Sequence, residues 1–213
     1  MRTRGMLVLA IIAILLGSLI PISNPIELEE SKSKSFANSE PLFLEQFGSS
    51  TNHVNGTSVG ALPNGWVVSG NSRSSVTFSP TVQASATSPY NSILDADTYV
   101  AAMDDQGNWL WAVMPDASQG LTLLQTMEVS DGGDIYIGGL IFGSVAFNSQ
   151  FTSTILTAQN GAGDGFVAKI DPTGQWLWAT SFNTANGSGN FSLVTGLAET
   201  YSGSLIVSGV HQG

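Results

Sequence analysis

The chain is 213 residues long, 42% apolar and only 10% charged, with sixteen acidic side chains against six basic ones and no cysteine. That balance leaves no cationic footprint for nucleic acid and is repelled by anionic lipid head groups. Without cysteine there is no disulfide framework, thiolate-bound zinc or thiol catalysis, so core packing alone must hold the fold.

Arg2 and Arg4 precede an apolar run from Met6 to Leu16, which continues past Gly17-Ser18 to Ile22. A basic start followed by a hydrophobic core is the arrangement of an export signal, and the run lies at the short edge of what spans a bilayer. Residues 1–22 therefore read as an N-terminal hydrophobic helix that is either a cleaved signal peptide or a retained membrane anchor over residues 6–22. No clean A-x-A cleavage site follows to decide between them. Either way the downstream chain is exported, to be secreted or held at the cell surface. Residues 23–40 are polar, mixed in charge and free of strand pattern, and read as a linker. The S-x-x-K match at Ser31–Lys34 falls inside it, where a nucleophile would have neither a helix N-terminus nor a cleft.

From residue 41 to 213 no sustained helical periodicity occurs, and Gly, Ser, Thr and Asn punctuate short β-rich runs; this predicts an all-β region. Gly56–Gly60 fits G-x-S-x-G, but the nucleophile elbow of hydrolases needs a helix after it, and here Pro63-Asn64-Gly65 leads into another strand. A tandem repeat of 67–70 residues then organises the rest. Glycine-ended strands recur at Trp66–Gly70, Tyr136–Gly139 and Leu205–Gly209, aligned on Gly70, Gly139 and Gly209. "SVTF" (Ser75–Phe78) and "SVAF" (Ser144–Phe147) follow the first two. "DTYVAAMDDQGNWLWA" (Asp97–Ala112) returns 67 residues later as "DGFVAKIDPTGQWLWA" (Asp164–Ala179), with nine of sixteen positions identical. Fixed order at fixed spacing marks repeated supersecondary units, about two and a half of them here.

Each phrase predicts a β-hairpin. Phe166, Ala168 and Ile170 alternate with Val167, Lys169 and Asp171. In "DPTG" Asp171 accepts nearby backbone N–H groups, Pro172 presets φ and Gly174 takes the left-handed position; Asp104 and Gly107 keep the same two roles in "DDQG". Strict alternation along the returning strands would put Trp109 and Trp111 on one face, and Trp176 and Trp178 likewise. Their repetition favours packing between sheets over sugar stacking. Asp97, Asp104, Gly107, Trp109, Trp111, Asp164, Asp171, Gly174, Trp176 and Trp178 are thus the structural residues of the repeat.

No catalytic, cofactor or metal residue is assigned. Asp95, Asp97, Asp104-Asp105, Asp131 with Asp134, and Asp164 are the acidic candidates, and none reproduces the calcium loop D-x-[DN]-x-[DN]-G. N-x-[ST] sequons at Asn55, Asn186 and Asn190 are candidate glycan acceptors, Asn190 the least favourable because Phe191 opens a strand.

The pattern D-x-[FY]-V-A-K-[IL]-D-x-x-G-x-x-L-W-A, followed by a glycine-ended strand, resembles the seven-bladed β-propeller repeat known as the SBBP repeat. The match covers about residues 42–210. It is close at Asp164–Ala179 and looser at Asp97–Ala112, where Ala102 replaces Lys. "DGGDIYIGG" (131–139) is similar to the family's D-x-x-G-N-V-Y-V-x-G segment. The resemblance implies antiparallel four-stranded blades of a propeller in exported bacterial or archaeal surface proteins. The unit is longer than the family's, and the surplus, around "SVAFNSQFTSTILTAQNGAG", is expected to form an extra strand pair or a long loop at one rim. The run stops within a repeat, so three architectures are expected to compete: part of a longer array, an open stack with a capped edge, or a part-ring that self-associates to close. The functional expectation is a non-enzymatic cell-surface interaction or adhesion scaffold for a protein or glycan ligand, with specificity in loops around 79–96, 115–120, 148–163 and 183–190. The second reading is a module of a secreted carbohydrate-active enzyme or a carbohydrate-binding protein.

Overall fold

A computed structural model describes residues 49, 53–88, 96–159, 163–183 and 190–212. The signal or anchor at 1–22, the linker at 23–40 and the sequon at Asn186 lie outside the described residues. Among the described residues there is no helix, and hence none long and apolar enough to cross a membrane.

The strands are β1 (Val54–Leu62), β2 (Gly65–Ser72), β3 (Val76–Ser79), β4 (Val82–Ala84), β5 (Asp97–Asp104), β6 (Trp109–Val113), β7 (Asp116–Val129), β8 (Ile135–Asn148), β9 (Ser153–Thr157), β10 (Asp164–Ile170), β11 (Trp176–Phe182), β12 (Phe191–Glu199) and β13 (Leu205–Gln212). They form antiparallel sheets that follow the repeat. The first has the order β1-β2-β5-β6 and the second β7-β8-β10-β11; the third holds β12-β13. The pairs β1–β2, β5–β6, β7–β8, β10–β11 and β12–β13 are each joined by a short turn, whereas β2–β5 and β8–β10 are joined through longer segments that hold β3–β4 and β9. The first strand of each pair carries a β-bulge at the same repeat position, between Gly56 and Ser58, Leu124 and Thr126, and Val194 and Gly196. The described residues contain these three sheets in succession, a separate two-stranded sheet of β3 and β4, and no closed ring.

The surplus in the repeat is a strand pair. In the first repeat it is the separate hairpin β3–β4, and in the second the far half of β8 pairs with β9, Ser144 to Asn148 opposite Thr157 to Ser153. The segment 115–120, expected to be a loop, mostly belongs to β7: Asp116 pairs with Ala146 across a bulge that ends at Gln119. Because β8 runs on through its S-V-A-F segment, it offers β7 enough backbone to extend the ladder.

The sheets pack face to face. β7 lies against β1, β2 and β5, and β12 lies against β7, β8 and β10. Val67 and Val100 of the first sheet share one buried core with Leu124, Ile137, Ile141 and Phe166 of the second. The other face of the first sheet, with Val68, Tyr99 and Ala101, is closed by its own hairpin through Val76, Phe78 and Val82.

Candidate functional site at the seams between repeats

Three repeated motifs meet in one aromatic cluster per repeat. The ring of Phe78 lies 5.7 Å from Tyr99 and 4.8 Å from Trp109. In the second repeat Phe147 lies 5.7 Å from Phe166 and 5.0 Å from Trp176, the latter edge-on. The S-V-x-F phenylalanine therefore plugs its own hairpin onto the aromatic of D-x-[FY] and the first tryptophan of W-L-W. Burial of Tyr99 pushes its hydroxyl pKa well above the usual value.

The two tryptophans of each strand do not share a face, contrary to expectation. Met103 pairs with Trp109 and Ala102 with Trp111, while Ile170 pairs with Trp176 and Lys169 with Trp178. One residue is skipped each time (Leu110, Leu177), so a bulge turns the second indole to the opposite side. Trp109 joins the outer core of the first sheet, whereas Trp111 packs on the core shared with the second. Trp176 is 2% exposed and Trp178 38%.

Trp111 is seated on the neighbouring repeat. Its indole N–H donates to the carbonyl oxygen of Pro172 at 3.0 Å. A Cβ at Gly174, whose φ is +87°, would lie 2.7 Å from the Trp111 ring. Glycine is thus required there twice, for its backbone conformation and for the indole above it. A second device recurs at each seam. The Thr98 N–H donates to the Thr122 hydroxyl at 2.8 Å, and the Thr122 N–H to the Ala96 carbonyl. The Gly165 N–H donates to the Ser192 hydroxyl at 2.8 Å, and the Ser192 N–H to the Gly163 carbonyl. Thr122 and Ser192 were not singled out by motif, although the 70-residue spacing sets Thr122 of β7 against Ser192 of β12.

The acidic residues serve turns and loops. Asp104 accepts the N–H groups of Gln106 and Asn108 and the Asn108 side-chain amide; the amide bond is foremost in holding its carboxyl below the usual range. Asp171 accepts from the N–H groups of Thr173 and Gln175 and from the Thr173 hydroxyl. Burial alone would raise its pKa, but these bonds outweigh it and the net shift is downward. Asp97 is buried and accepts the N–H groups of Thr87 and Ser88; desolvation dominates and pushes its pKa up, helped by nearby Asp116. Asp164 accepts the N–H of Gln159. Among the described residues no three His, Cys, Asp or Glu side chains come together as a metal-holding group.

A polar and aromatic cluster missed in the sequence sits on the face of the second sheet that meets the third. Lys169 is 2.7 Å from Asp134 and its ammonium lies 4.9 Å from the centroid of the Tyr136 ring. Burial works against the lysine's charge, but Asp134 and Tyr136 outweigh it and raise its pKa. The Tyr136 hydroxyl donates to Glu199 of β12, and its ring is 6.1 Å from Trp178. In the first sheet the matching positions are Val67, Ala102 and Trp111, so only the second sheet carries this charge. No family model matches the chain, and no curated protein matches it either.

The remaining candidates fall as follows. Asn55 is exposed within β1, its side-chain oxygen accepting the Asn71 N–H. Asn190 immediately precedes β12. The G-x-S-x-G residues lie inside β1, which turns directly into β2, so no elbow forms.

Proposed function

We propose that this chain is an exported, non-enzymatic repeat protein of the SBBP kind, whose sheets are blades of a propeller-type array and whose role is that of a cell-surface interaction or adhesion scaffold. One observation carries the reading. The repeated aromatic, aspartate and glycine positions are engaged in packing or turns, within a repeat or across a seam. Among the described residues the repeat's acids sit in turns and loops and do not converge on one site, and ligand specificity falls to the non-repeated segments: the β4–β5 connection, the β8–β9 hairpin and the β11–β12 connection.

A second reading, glycan binding, is favoured by the half-open indole of Trp178 beside the Lys169–Tyr136–Glu199 cluster, since an exposed aromatic face next to hydrogen-bonding groups suits a sugar.

The test uses the full chain, expressed in a bacterial host and exposed to protease added to intact cells. Cleavage of the repeat region on intact cells is the expected result; complete protection, with the protein in the cytoplasm, overturns export. Turnover of glycosides or polysaccharides by the purified chain overturns the non-enzymatic assignment. Retention on a glycan array, lost on Trp178→Ala, would replace the scaffold reading by the second one.

A further inference from the structure

We propose that Asn64, in the turn between β1 and β2, is a site of spontaneous deamidation, and that its conversion to aspartate and isoaspartate loosens the seat of the first sheet on the second. The inference stands apart from the scaffold reading, since it needs only the folded chain in water.

An asparagine is lost this way when the next residue has little bulk, its own amide is unheld, and the backbone is free to bring the two together. The asparagines followed by glycine or serine among the described residues are Asn55, Asn64, Asn71 and Asn148. Three are held. Asn71 accepts the Leu124 N–H at 2.7 Å and donates to the Leu124 carbonyl at 3.1 Å. Asn148 accepts the Ser153 hydroxyl at 2.7 Å. Asn55 accepts the Asn71 N–H at 3.1 Å, and its own carbonyl takes the Tyr99 hydroxyl at 3.1 Å. Asn64 is exposed, and its side chain makes no hydrogen bond among the described residues. The turn supplies the remaining condition. Leu62 stands opposite Gly65 in the last rung of the β1–β2 ladder, so fraying of that one rung frees the backbone on both sides of Asn64. Asn55 and Gly56 stand opposite Asn71 and Gly70 within the ladder, and Gly70 is itself paired with Tyr99 of β5.

In the reaction the Gly65 backbone nitrogen gives up its proton to solvent base and attacks the side-chain carbonyl carbon of Asn64. A nitrogen–carbon bond forms and closes a succinimide. The bond from that carbon to Nδ2 breaks, and the amide nitrogen leaves as ammonia with a proton taken from water. Water then opens the ring. Breaking the bond between the nitrogen and the side-chain carbon gives aspartate; breaking the one to the main-chain carbon gives isoaspartate, whose backbone is longer by a methylene. No oxidant or reductant enters.

The turn has no slack for that methylene. A Cβ at Gly65 would lie 2.0 Å from the Met103 carbonyl oxygen, and one at Gly133 3.0 Å from the Pro63 ring, so the turn is held both against β5 and against the β7–β8 turn of the second sheet. Both products also add a carboxylate to a turn whose Gly65 stands opposite Asp104 and whose Pro63 meets the turn carrying Asp131 and Asp134. Extra length and like charge act in the same direction, against the seating.

The experiment incubates the purified full chain at mildly alkaline pH, folded and in concentrated urea. Fragment-ion mass spectrometry assigns the amide-to-acid mass gain to each asparagine, and isoaspartyl methyltransferase labelling detects the longer product. In urea Asn55 and Asn64 should convert at comparable rates, since both precede glycine. In the folded chain Asn64 should convert at least roughly tenfold faster than Asn55, because only Asn64 is reached by fraying of a terminal rung. Asn64→Gln should remove this fast phase. The converted chain should melt at a lower temperature than the fresh one, Asn64→Asp should show the part of the shift due to charge, and the glutamine variant should keep its melt on incubation. Equal rates at Asn55 and Asn64 in the folded chain, or an unchanged Asn64 while the chain in urea converts, overturns the site. A fully converted chain that melts as the fresh one does overturns the loosening.

Discussion

The hydroxyl of Thr122 accepts the backbone N–H of Thr98, a bond of 2.8 Å that crosses from the second sheet into the first, and Ser192 does the same for Gly165 one repeat later. Both bonds are buried, so each hydroxyl satisfies an amide that would otherwise be stranded away from water.

Thr122→Val keeps the branched shape and removes the acceptor. Its expected cost is about 1–3 kcal/mol, that of an unsatisfied buried N–H, with Thr122→Ser restoring most of it. Urea denaturation followed by far-UV circular dichroism measures both, and a valine variant as stable as the parent would show that the seam does not depend on this bond.

The divided tryptophans predict unequal costs. Trp176 is enclosed by Phe147 and its neighbours, so Trp176→Ala should destabilise by about 3–5 kcal/mol. Trp178→Ala, at a half-open position, should cost less than half as much. Equal losses would mean that the second indole is buried in solution.

Gly174→Ala combines a left-handed backbone with a contact on the Trp111 ring, and should cost about 1–3 kcal/mol from the backbone alone. In the double variant with Trp111→Ala the clash disappears and the strain persists. A double-mutant cycle on thermal melts therefore expects a non-zero coupling energy between the two positions; strict additivity contradicts the seating of Trp111 on this turn.

The pH dependence has two opposed contributions. Asp171 has a folded pKa below its unfolded one, so its stabilisation is complete above about pH 4 and is lost as pH falls through the folded value. Asp171→Asn keeps an acceptor and should flatten the stability profile on the acid side. Asp97, raised by burial, works in reverse: it withdraws stability as pH rises from about 4 through its folded value. Asp97→Asn should remove that decline. Stability profiles from pH 2 to 7 that are parallel for all three proteins would rule out both assignments.

The hairpins were readable because their determinants are local: Asp171, Pro172 and Gly174 lie within four residues, and alternation through Phe166, Ala168 and Ile170 needs no distant partner. The surplus was located for the same reason, since Ser144–Phe147 copies Ser75–Phe78, but the sequence left it open as a strand pair or a long loop, and the pairing of β8 with β9 decides for the strand pair. The orientation of Trp111 and Trp178 was not, because the bulges that skip Leu110 and Leu177 exist only in the pairing with Ala102 and Lys169. Nor were the seam hydroxyls. Thr122 and Ser192 are ordinary strand residues until another sheet brings Thr98 or Gly165 against them. Lys169, singled out only as a match to the repeat, gained its meaning from Tyr136 on the adjoining β8 and from Asp134 in the turn just before it.

The bulge in each W-L-W strand also separates two units that a sequence alignment treats as one. The first indole belongs to the repeat that encodes it, held by that repeat's own phenylalanine, while Trp111, the second of its strand, is seated on the turn of the repeat that follows. The unit that would be copied by duplication and the unit that folds cooperatively are therefore out of phase by part of a strand. Any new junction made at an alignment boundary inherits a tryptophan fitted to the turn of its old neighbour, so recombined arrays should tolerate exchange of whole neighbouring pairs far better than exchange of single repeats.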